Sequence, residues 1–331
     1  MPNPDRKTTG AATEPLPATA PCPLCDGTGP FHHWGRDRLY DGTARYRYHL
    51  CNRCRAVFIV PMPTPDEIGG FYPDDYLVYG ENRGGKRHRW TERAVLRHRY
   101  HYHHLPLPFA ARAAAPLLAP FLYRDSIPFT ADGRGLDIGC GNGRFISSMN
   151  ALGWRFEGVE FNAVAVAACR RAGLTVFEGE FAAAGFEENR FDLITARHLV
   201  EHLATPQPFM AEVARVLKPG GRLLIQTPNS DALGRAVFKT RWYADDPPRH
   251  LVLYNRGNLD DLAQRHGLVP TRSMLLTTPK IVLNSFDYLI GNRGRPSRRR
   301  KLRRMLARPY VWLATLSRRG DEIFAIYTKR G

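Results

Sequence analysis

Residues 135–143, GLDIGCGNG, constrain this chain more than any other stretch, because a short apolar run leads straight into three glycines spaced two apart. Leu136 and Ile138 fit the end of a buried strand. Gly139, Gly141 and Gly143 let the backbone turn sharply and approach a ligand where a Cβ would collide. Residues 144–152 then read as a helix whose N-terminus faces that ligand, where free N–H groups favour a carboxylate or a phosphate. Plain tight turns, dinucleotide sites and adenosyl sites all use such loops, so the chain downstream of residue 152 has to decide among them.

Downstream, strands and helices alternate regularly. Residues 156–160 read as a strand ending in Glu160, an acid 17 residues after Gly143 that can accept both hydroxyls of a ribose. Residues 163–172 read as a helix, 174–177 and 191–195 as strands, 208–217 as a helix, 218–221 as a turn and 222–226 as a strand. This order predicts an α/β fold with a parallel, doubly wound sheet that binds ligands at the carboxyl ends of its strands.

Six motifs then fall in one order: LDIGCGNG at 136–143, GVE at 158–160, EGEF at 178–181, FDLI at 191–194, LVEHL at 199–203 and LKPGGRLLIQTPN at 217–229. On these, residues 135–267 resemble the class I S-adenosylmethionine-dependent methyltransferases, in the branch that modifies mostly small molecules. The resemblance implies a Rossmann-like seven-stranded sheet, closed by an antiparallel pair from 274–277 and 322–328. It implies that Gly139, Gly141 and Gly143 line the methionine part of S-adenosylmethionine and that Asp137 binds its amino group, directly or through water. Glu160 would hold the ribose, Glu180 with the backbone of Phe181 would meet the adenine edge, and Thr195 and Ala196 would face the sulfonium region. Many relatives carry Asp where this chain has Glu180. The NPPY motif used for exocyclic base nitrogens is replaced by Thr195-Ala196-Arg197-His198, which argues against adenine or cytosine amino groups but not against ring nitrogens or ribose.

Methyl transfer from a sulfonium is a one-step displacement, so a protein mainly aligns the nucleophile and excludes water, with a base needed only for a protonated nucleophile. Two segments offer one. In 197–202, His198 and His202 are expected four apart on one helical face, and HxxEH invites comparison with inverted zincin signatures. The resemblance sets a metal aside there, leaving His198 as a base candidate. In 241–254, RWYADDPPRHLVLY, two prolines fix the backbone while Trp242, His250 and Tyr254 offer flat surfaces with polar tips. The resemblance makes this a substrate-binding insert, with His250 the first choice for a base or orienting group and Tyr254 beside it. The alternative is that both anchor the insert on the sheet.

Cys22-x-x-Cys25 and Cys51-x-x-Cys54 form two knuckles separated by 25 residues, spacing that suits a tetrahedral zinc held by four thiolates. A closed four-sulfur site is structural, and residues 34–50 between the knuckles read as hairpin strands. The head resembles the zinc-ribbon-like leader found before some small-molecule and sugar-modifying methyltransferases. Related ribbons precede certain ribosomal RNA methyltransferases, which keeps RNA open as a substrate.

The formal charge is +17, yet 132–290 holds 18 Lys/Arg against 17 Asp/Glu, so the excess sits in the flanks. It concentrates at 83–99 and at 293–319, the latter with 11 Lys/Arg and no acid. In that segment Leu302, Met305, Leu306, Trp312, Leu313 and Leu316 recur at helical spacing, with Pro309 expected to split two helices beneath an arginine-rich face. A lid helix, an anionic-membrane contact and an RNA or phosphate contact all fit. His98, His101, His103 and His104, with Tyr100 and Tyr102, read as an exposed aromatic-basic linker.

The expected parts are a disordered leader over 1–20, a zinc-ribbon-like head over 21–80, a basic linker over 81–131 and the cofactor-binding domain over 132–331. With no apolar signal segment or spanning run, a cytoplasmic protein is expected, at most peripheral to a membrane. The expected activity is methylation of a sugar, lipid or metabolite precursor, with oxygen slightly favoured. An rRNA or tRNA methyltransferase and a non-catalytic zinc- and cofactor-binding scaffold are the rival readings.

Overall fold

The protein is described from a computed structural model over residues 17–40, 42–72, 82, 84–85, 88–118, 126–291, 305 and 307–331. Its larger sheet is built from β5 (Arg134–Ile138), β6 (Arg155–Glu160), β7 (Val176–Glu178), β8 (Phe191–Arg197), β9 (Leu217–Pro228), β11 (Leu268–Leu276) and β12 (Glu322–Lys329), in the order β11-β12-β9-β8-β5-β6-β7. The five strands from β7 to β9 run parallel, while β12 lies antiparallel between β9 and β11. This is the closing pair expected from the sequence, with β11 starting earlier, at Leu268. The chain builds outward from β5 to β6 and β7, then returns to β5's other side with β8 and β9. Between β5 and β8 the order reverses, and a crevice opens at their carboxyl ends.

Helices α4 (Arg144–Asn150), α5 (Ala163–Arg171), α6 (Pro206–Val216) and α8 (Arg256–Arg265) make the crossovers. Strand periodicity divides the core between the sheet's two faces: Ile194 and Leu223 join one cluster with Val213 and Leu259, while Leu193 and Leu224 join the other with Trp154 and Phe324. The expected turn at 218–221 is a bulge inside β9, since Phe191 faces Leu217 but Leu193 faces Arg222. Gly220 there takes φ +74°, open to glycine at little cost.

In the stretch read as an exposed aromatic-basic linker, His98, His101, His103 and His104 are exposed, but the tyrosines among them belong to this core. After the short α1 (Pro65–Gly69), helices α2 (Trp90–Arg99) and α3 (Phe109–Leu118) pack together through Ala94, Ala111 and Ala115. Between them Tyr100 and Tyr102 are buried, and the Tyr102 hydroxyl accepts from Trp154 Nε1 at 3.1 Å. The alternation puts the histidines in solvent and the tyrosines inward, where Phe129 and Trp154 cover Tyr102.

The head forms a five-stranded antiparallel sheet: β1 (Thr19–Pro21), β2 (Thr28–Arg36), β3 (Arg45–Leu50), β4 (Val57–Val60) and, at its edge, β10 (Val252–Leu253). Chain expected to be leader up to residue 20 already pairs here; residues 1–16 lie outside the described ones. The last strand comes from the insert after β9, so head and insert share one sheet. Tyr48 donates to the carbonyl of His250 at 2.8 Å, and Asn255 and Asn258 donate to the carbonyl of Cys54.

Candidate active site

At the end of β5, Asp137 is buried and accepts a hydrogen bond from Thr195 Oγ1 at 2.6 Å. Burial pushes its carboxyl up to about 6, against the lowering by Thr195 and Arg197. Gly139, Gly141 and Gly143 all take positive φ, as the loop requires. A Cβ on Gly143 would meet Leu174 at 2.5 Å and Cys169 at 2.8 Å. Glu160, at the end of β6, folds back on the loop: one carboxylate oxygen accepts from Gly141 N at 2.8 Å and the other from Asn162 N at 2.9 Å. Burial raises its carboxyl, and these backbone donors oppose the rise. Each oxygen keeps a lone pair for a further donor. Glu180 is exposed at the start of a short 3₁₀ turn, Phe181 is buried behind it, and Ala196 is buried in β8. The sequence-predicted cofactor residues therefore line the ends of β5, β6 and β8 and the turn after β7.

The predicted catalytic residues separate into two environments. His198 and His202 do not share a helical face: β8 runs through Arg197, His198 comes next at φ +51°, and a single 3₁₀ turn spans Val200–His202. His198 is half-exposed, with Nδ1 3.4 Å from Glu201 and Nε2 3.3 Å from Glu322. Burial works to lower its pKa, but the bond and charge of Glu201 and the charge of Glu322 prevail and raise it. His250 is buried, donates through Nδ1 to the carbonyl of Ala244 at 2.8 Å, and holds Nε2 4.0 Å from Glu201. Tyr254 is fully buried with its hydroxyl donating to the carbonyl of Val200.

Glu201, which the sequence offered within HxxEH and LVEHL without a role of its own, is the hub. It is fully buried, and Thr227 donates to its Oε2 at 2.8 Å. Burial alone would raise its pKa; the bond from His198 and the charges of His202 and His250 hold it at about 2. His202 is lowered to about 4, chiefly by burial and then by His250. Tyr72, from the head, brings its hydroxyl within 2.8 Å of His202 Nδ1 and its ring against Phe161, next to Glu160. No sequence signal assigns Tyr72 a role, because only the packing of the head carries it there.

Among the described residues, two groups could hold a metal ion: Glu201, His202 and His250, and the four head cysteines. The cysteine sulfurs all lie within 4.8 Å of one another, with Cys22–Cys54 and Cys25–Cys51 at 3.6 Å. Tetrahedral zinc with Zn–S bonds near 2.3 Å separates its sulfurs by about 3.8 Å. Backbone N–H groups of Leu24 and Cys54 point at Cys22 and Cys51 sulfurs at 3.4 Å, and a Cβ on Gly27 would come within 3.1 Å of the Cys51 sulfur. The donor set thus fits zinc.

A family model described as a methyltransferase domain matches residues 103–272. The chain belongs to that family. With the sheet order and the glycine loop, this places the methyltransferase domain among the class I, S-adenosylmethionine-dependent group. Ubiquinone biosynthesis O-methyltransferases of Burkholderia multivorans and Burkholderia vietnamiensis are 32% and 33% identical to it over 112 residues, covering 32% of this chain and 48% of each relative. The chain thus spans about half the length of the curated relatives it matches. Among solved structures, a putative sarcosine dimethylglycine methyltransferase from Galdieria sulphuraria matches with TM-score 0.42 and 20% identity over 61% of this chain and 80% of that one. A SAM dependent methyltransferase from Archaeoglobus fulgidus matches with TM-score 0.44 and 17% identity, over 66% and 93%.

Proposed function

We propose that this methyltransferase-family protein transfers the methyl group of S-adenosylmethionine to a small-molecule acceptor, with oxygen favoured over carbon or nitrogen. The observation that carries the reading is the crevice at the β5–β8 switch point, where Asp137, the glycine loop and Glu160 stand in the order an adenosyl amino acid presents its groups. The partial relatives named as O-methyltransferases support oxygen as the acceptor atom. When bound, S-adenosylmethionine supplies a methyl group made electrophilic by its sulfonium. Asp137 would hold the ammonium group, Glu160 the ribose hydroxyls, and Glu180 with Phe181 the adenine edge. Thr195 keeps the Asp137 carboxylate oriented.

We assign the acceptor's proton to His198. Of the three predicted catalytic side chains it is the half-exposed one, at the end of β8, and its neighbours Glu201 and Glu322 stabilise the imidazolium that forms. His250 and Tyr254 have their polar atoms committed inside the protein and support the wall behind it. We read the four head cysteines as ligands of a structural zinc. For the basic segment 293–319 we favour an anionic membrane surface over RNA, because in its described part Trp312, Leu313 and Leu316 stand exposed between the exposed Arg308 and Arg318.

Calorimetry tests the cofactor: wild type should bind S-adenosylmethionine, and Asp137→Ala with Glu160→Ala should not. Incubation with methyl-labelled cofactor and a cell extract split into RNA, lipid, glycan and small-molecule fractions then names the acceptor class. Label confined to RNA would end the small-molecule reading.

A further inference from the structure

Helices α9 (Pro279–Leu289) and α10 (Arg308–Leu316), which follow β11 and precede β12 in the chain, pack on one another beside α7 (Leu233–Phe238). Each is amphipathic in an unusual sense. α9 buries Ile281, Val282 and Ser285 but leaves Phe286, Leu289 and, just past its end, Ile290 exposed. α10 buries Ala314, with Ala307 just before its start, and turns Trp312, Leu313 and Leu316 to solvent at 51–65% exposure. Pro309, Trp312 and Leu316 fall on one face at i, i+3 and i+7, with Leu313 flanking it. The expectation of apolar residues beneath an arginine-rich face is thus inverted for Trp312, Leu313 and Leu316, which point outward, while Ala307, Tyr310 and Ala314 point inward. Leu302 and Leu306 lie outside the described residues. A solvated lid helix would carry polar groups at those positions.

We propose that this α9–α10 cap is a docking face for a lipid bilayer with anionic headgroups. Two independent signals meet there. Trp312 and the aliphatic side chains around it suit the boundary between headgroups and acyl chains. Among the described residues, Lys280 on α9, Arg308 at the start of α10 and Arg318 and Arg319 after it are exposed; the other eight of the 11 Lys/Arg that the acid-free sequence 293–319 carries lie outside the described residues. Apolar insertion and basic attraction together give stable peripheral binding where either alone is marginal.

Other occupants fit less well. RNA offers phosphates to the arginines but nothing for Leu289, Ile290, Leu313 and Leu316. A second copy related by a two-fold axis would bring the same cationic segment against itself.

The cap is tied to the candidate site. Tyr310 of α10 donates to Asp321, and the next residue, Glu322, faces His198 at 3.3 Å. Docking would therefore act one residue from the carboxylate that faces His198, a consequence for catalysis that rests on the proposed methyl transfer, whereas the docking itself does not.

The test is flotation of the zinc-loaded full chain with vesicles of phosphatidylcholine alone and of three parts phosphatidylcholine to one part phosphatidylglycerol. The protein should rise with the mixed vesicles, release with added salt, and stay behind with the neutral ones. Trp312→Glu and Leu316→Glu should each cut partitioning about tenfold, while calorimetry shows their S-adenosylmethionine affinity unchanged. Equal partitioning into both vesicle types, no partitioning, or variants that float like wild type would overturn the proposal. So would a dimer that the two substitutions dissolve, or RNA retention that they abolish while vesicle binding persists. A wild type that floats but binds no cofactor leaves the docking face standing and removes the proposed activity instead.

Discussion

Asp37 of the head accepts hydrogen bonds from both terminal nitrogens of Arg249, at 2.9 and 3.0 Å, while Arg249 also bonds Asp246 at 2.6 and 2.8 Å. Arg249 is 1% exposed, so its charge depends on these two carboxylates. The residue lies one before His250, and the clamp therefore fixes the insert to the head where both approach Glu201. Asp37→Asn should lower stability by about 1.5–3 kcal/mol, the worth of a hydrogen bond to a charged group. Asp246 still pairs the guanidinium, so unfolding should stay cooperative. A urea midpoint equal to that of wild type would show the clamp to be idle.

Zinc should matter well beyond the knuckles, because β4 pairs directly with β10 and Asn258 donates to the carbonyl of Cys54 at 3.2 Å. Cys51→Ser should lose the metal, lower the melting temperature, and speed amide exchange across 250–258. Metal analysis and hydrogen exchange read these separately. Unchanged exchange in the insert would confine the zinc to a local role, and a wild type without metal would remove it.

The sheet was legible because each β-α crossover carries its own local signal: apolar runs, the positive-φ glycines and a helix start. Asp137, Gly139, Gly143 and Glu160 are placed by those signals alone, since a strand end in a doubly wound sheet is a fixed position. The wall of the crevice was not legible. Tyr72 meets His202, and β10 joins the head, across separations of 130 residues and more, and no period in the sequence encodes such pairings. The helix expected over 198–202 failed for a related reason. His198 leaves β8 at positive φ and Leu251 N holds the carbonyl of Glu201 at 2.7 Å, a tertiary bond that replaces helical pairing. Tertiary packing likewise buries His250 and leaves Trp312 exposed, against what residue type alone suggests.

Gly143→Ala should injure both stability and cofactor binding. The substitution puts a Cβ at φ +72° and within 2.5 Å of Leu174 and 2.8 Å of Cys169, so the loop must shift away from α5. Left-handed strain and overpacking each cost about 1–3 kcal/mol. Gly173→Ala has the same sign of φ, +72°, but nothing within 4 Å, and serves as a control that carries the backbone strain alone. Thermal melts of the two should separate crowding from strain, and equal losses would place the whole effect in the backbone.

His202 makes stability depend on pH in a defined direction. Its pKa lies at about 4 in the folded protein, below the unfolded value near 6.5, so the unfolded chain takes up the proton first. Its contribution is complete above about pH 6.5 and is lost as pH falls towards 4. Asp137, raised to about 6, works in the opposite sense, so the informative quantity is the difference between wild type and His202→Gln. The variant should lose less stability than wild type between neutral pH and about pH 4.5 in urea titrations. Parallel profiles would mean that His202 is already free to ionise in the folded state.

Cofactor affinity should track the ionisation of Asp137. The carboxyl is pushed up to about 6 by burial, and only its charged form, held in place by Thr195, can bind an ammonium group. As pH falls below about 6, the dissociation constant for S-adenosylmethionine should rise by about tenfold per unit, because each unit removes that fraction of the carboxylate. Above pH 6 it should be nearly level. Asp137→Asn should bind weakly at every pH and show no inflection, while Thr195→Val, which removes the hydroxyl that favours the charged form, should move the inflection upward. Calorimetric titrations between about pH 7.5 and about pH 5 would show the step. A level wild-type profile across that range would mean that another group holds the amino end of the cofactor.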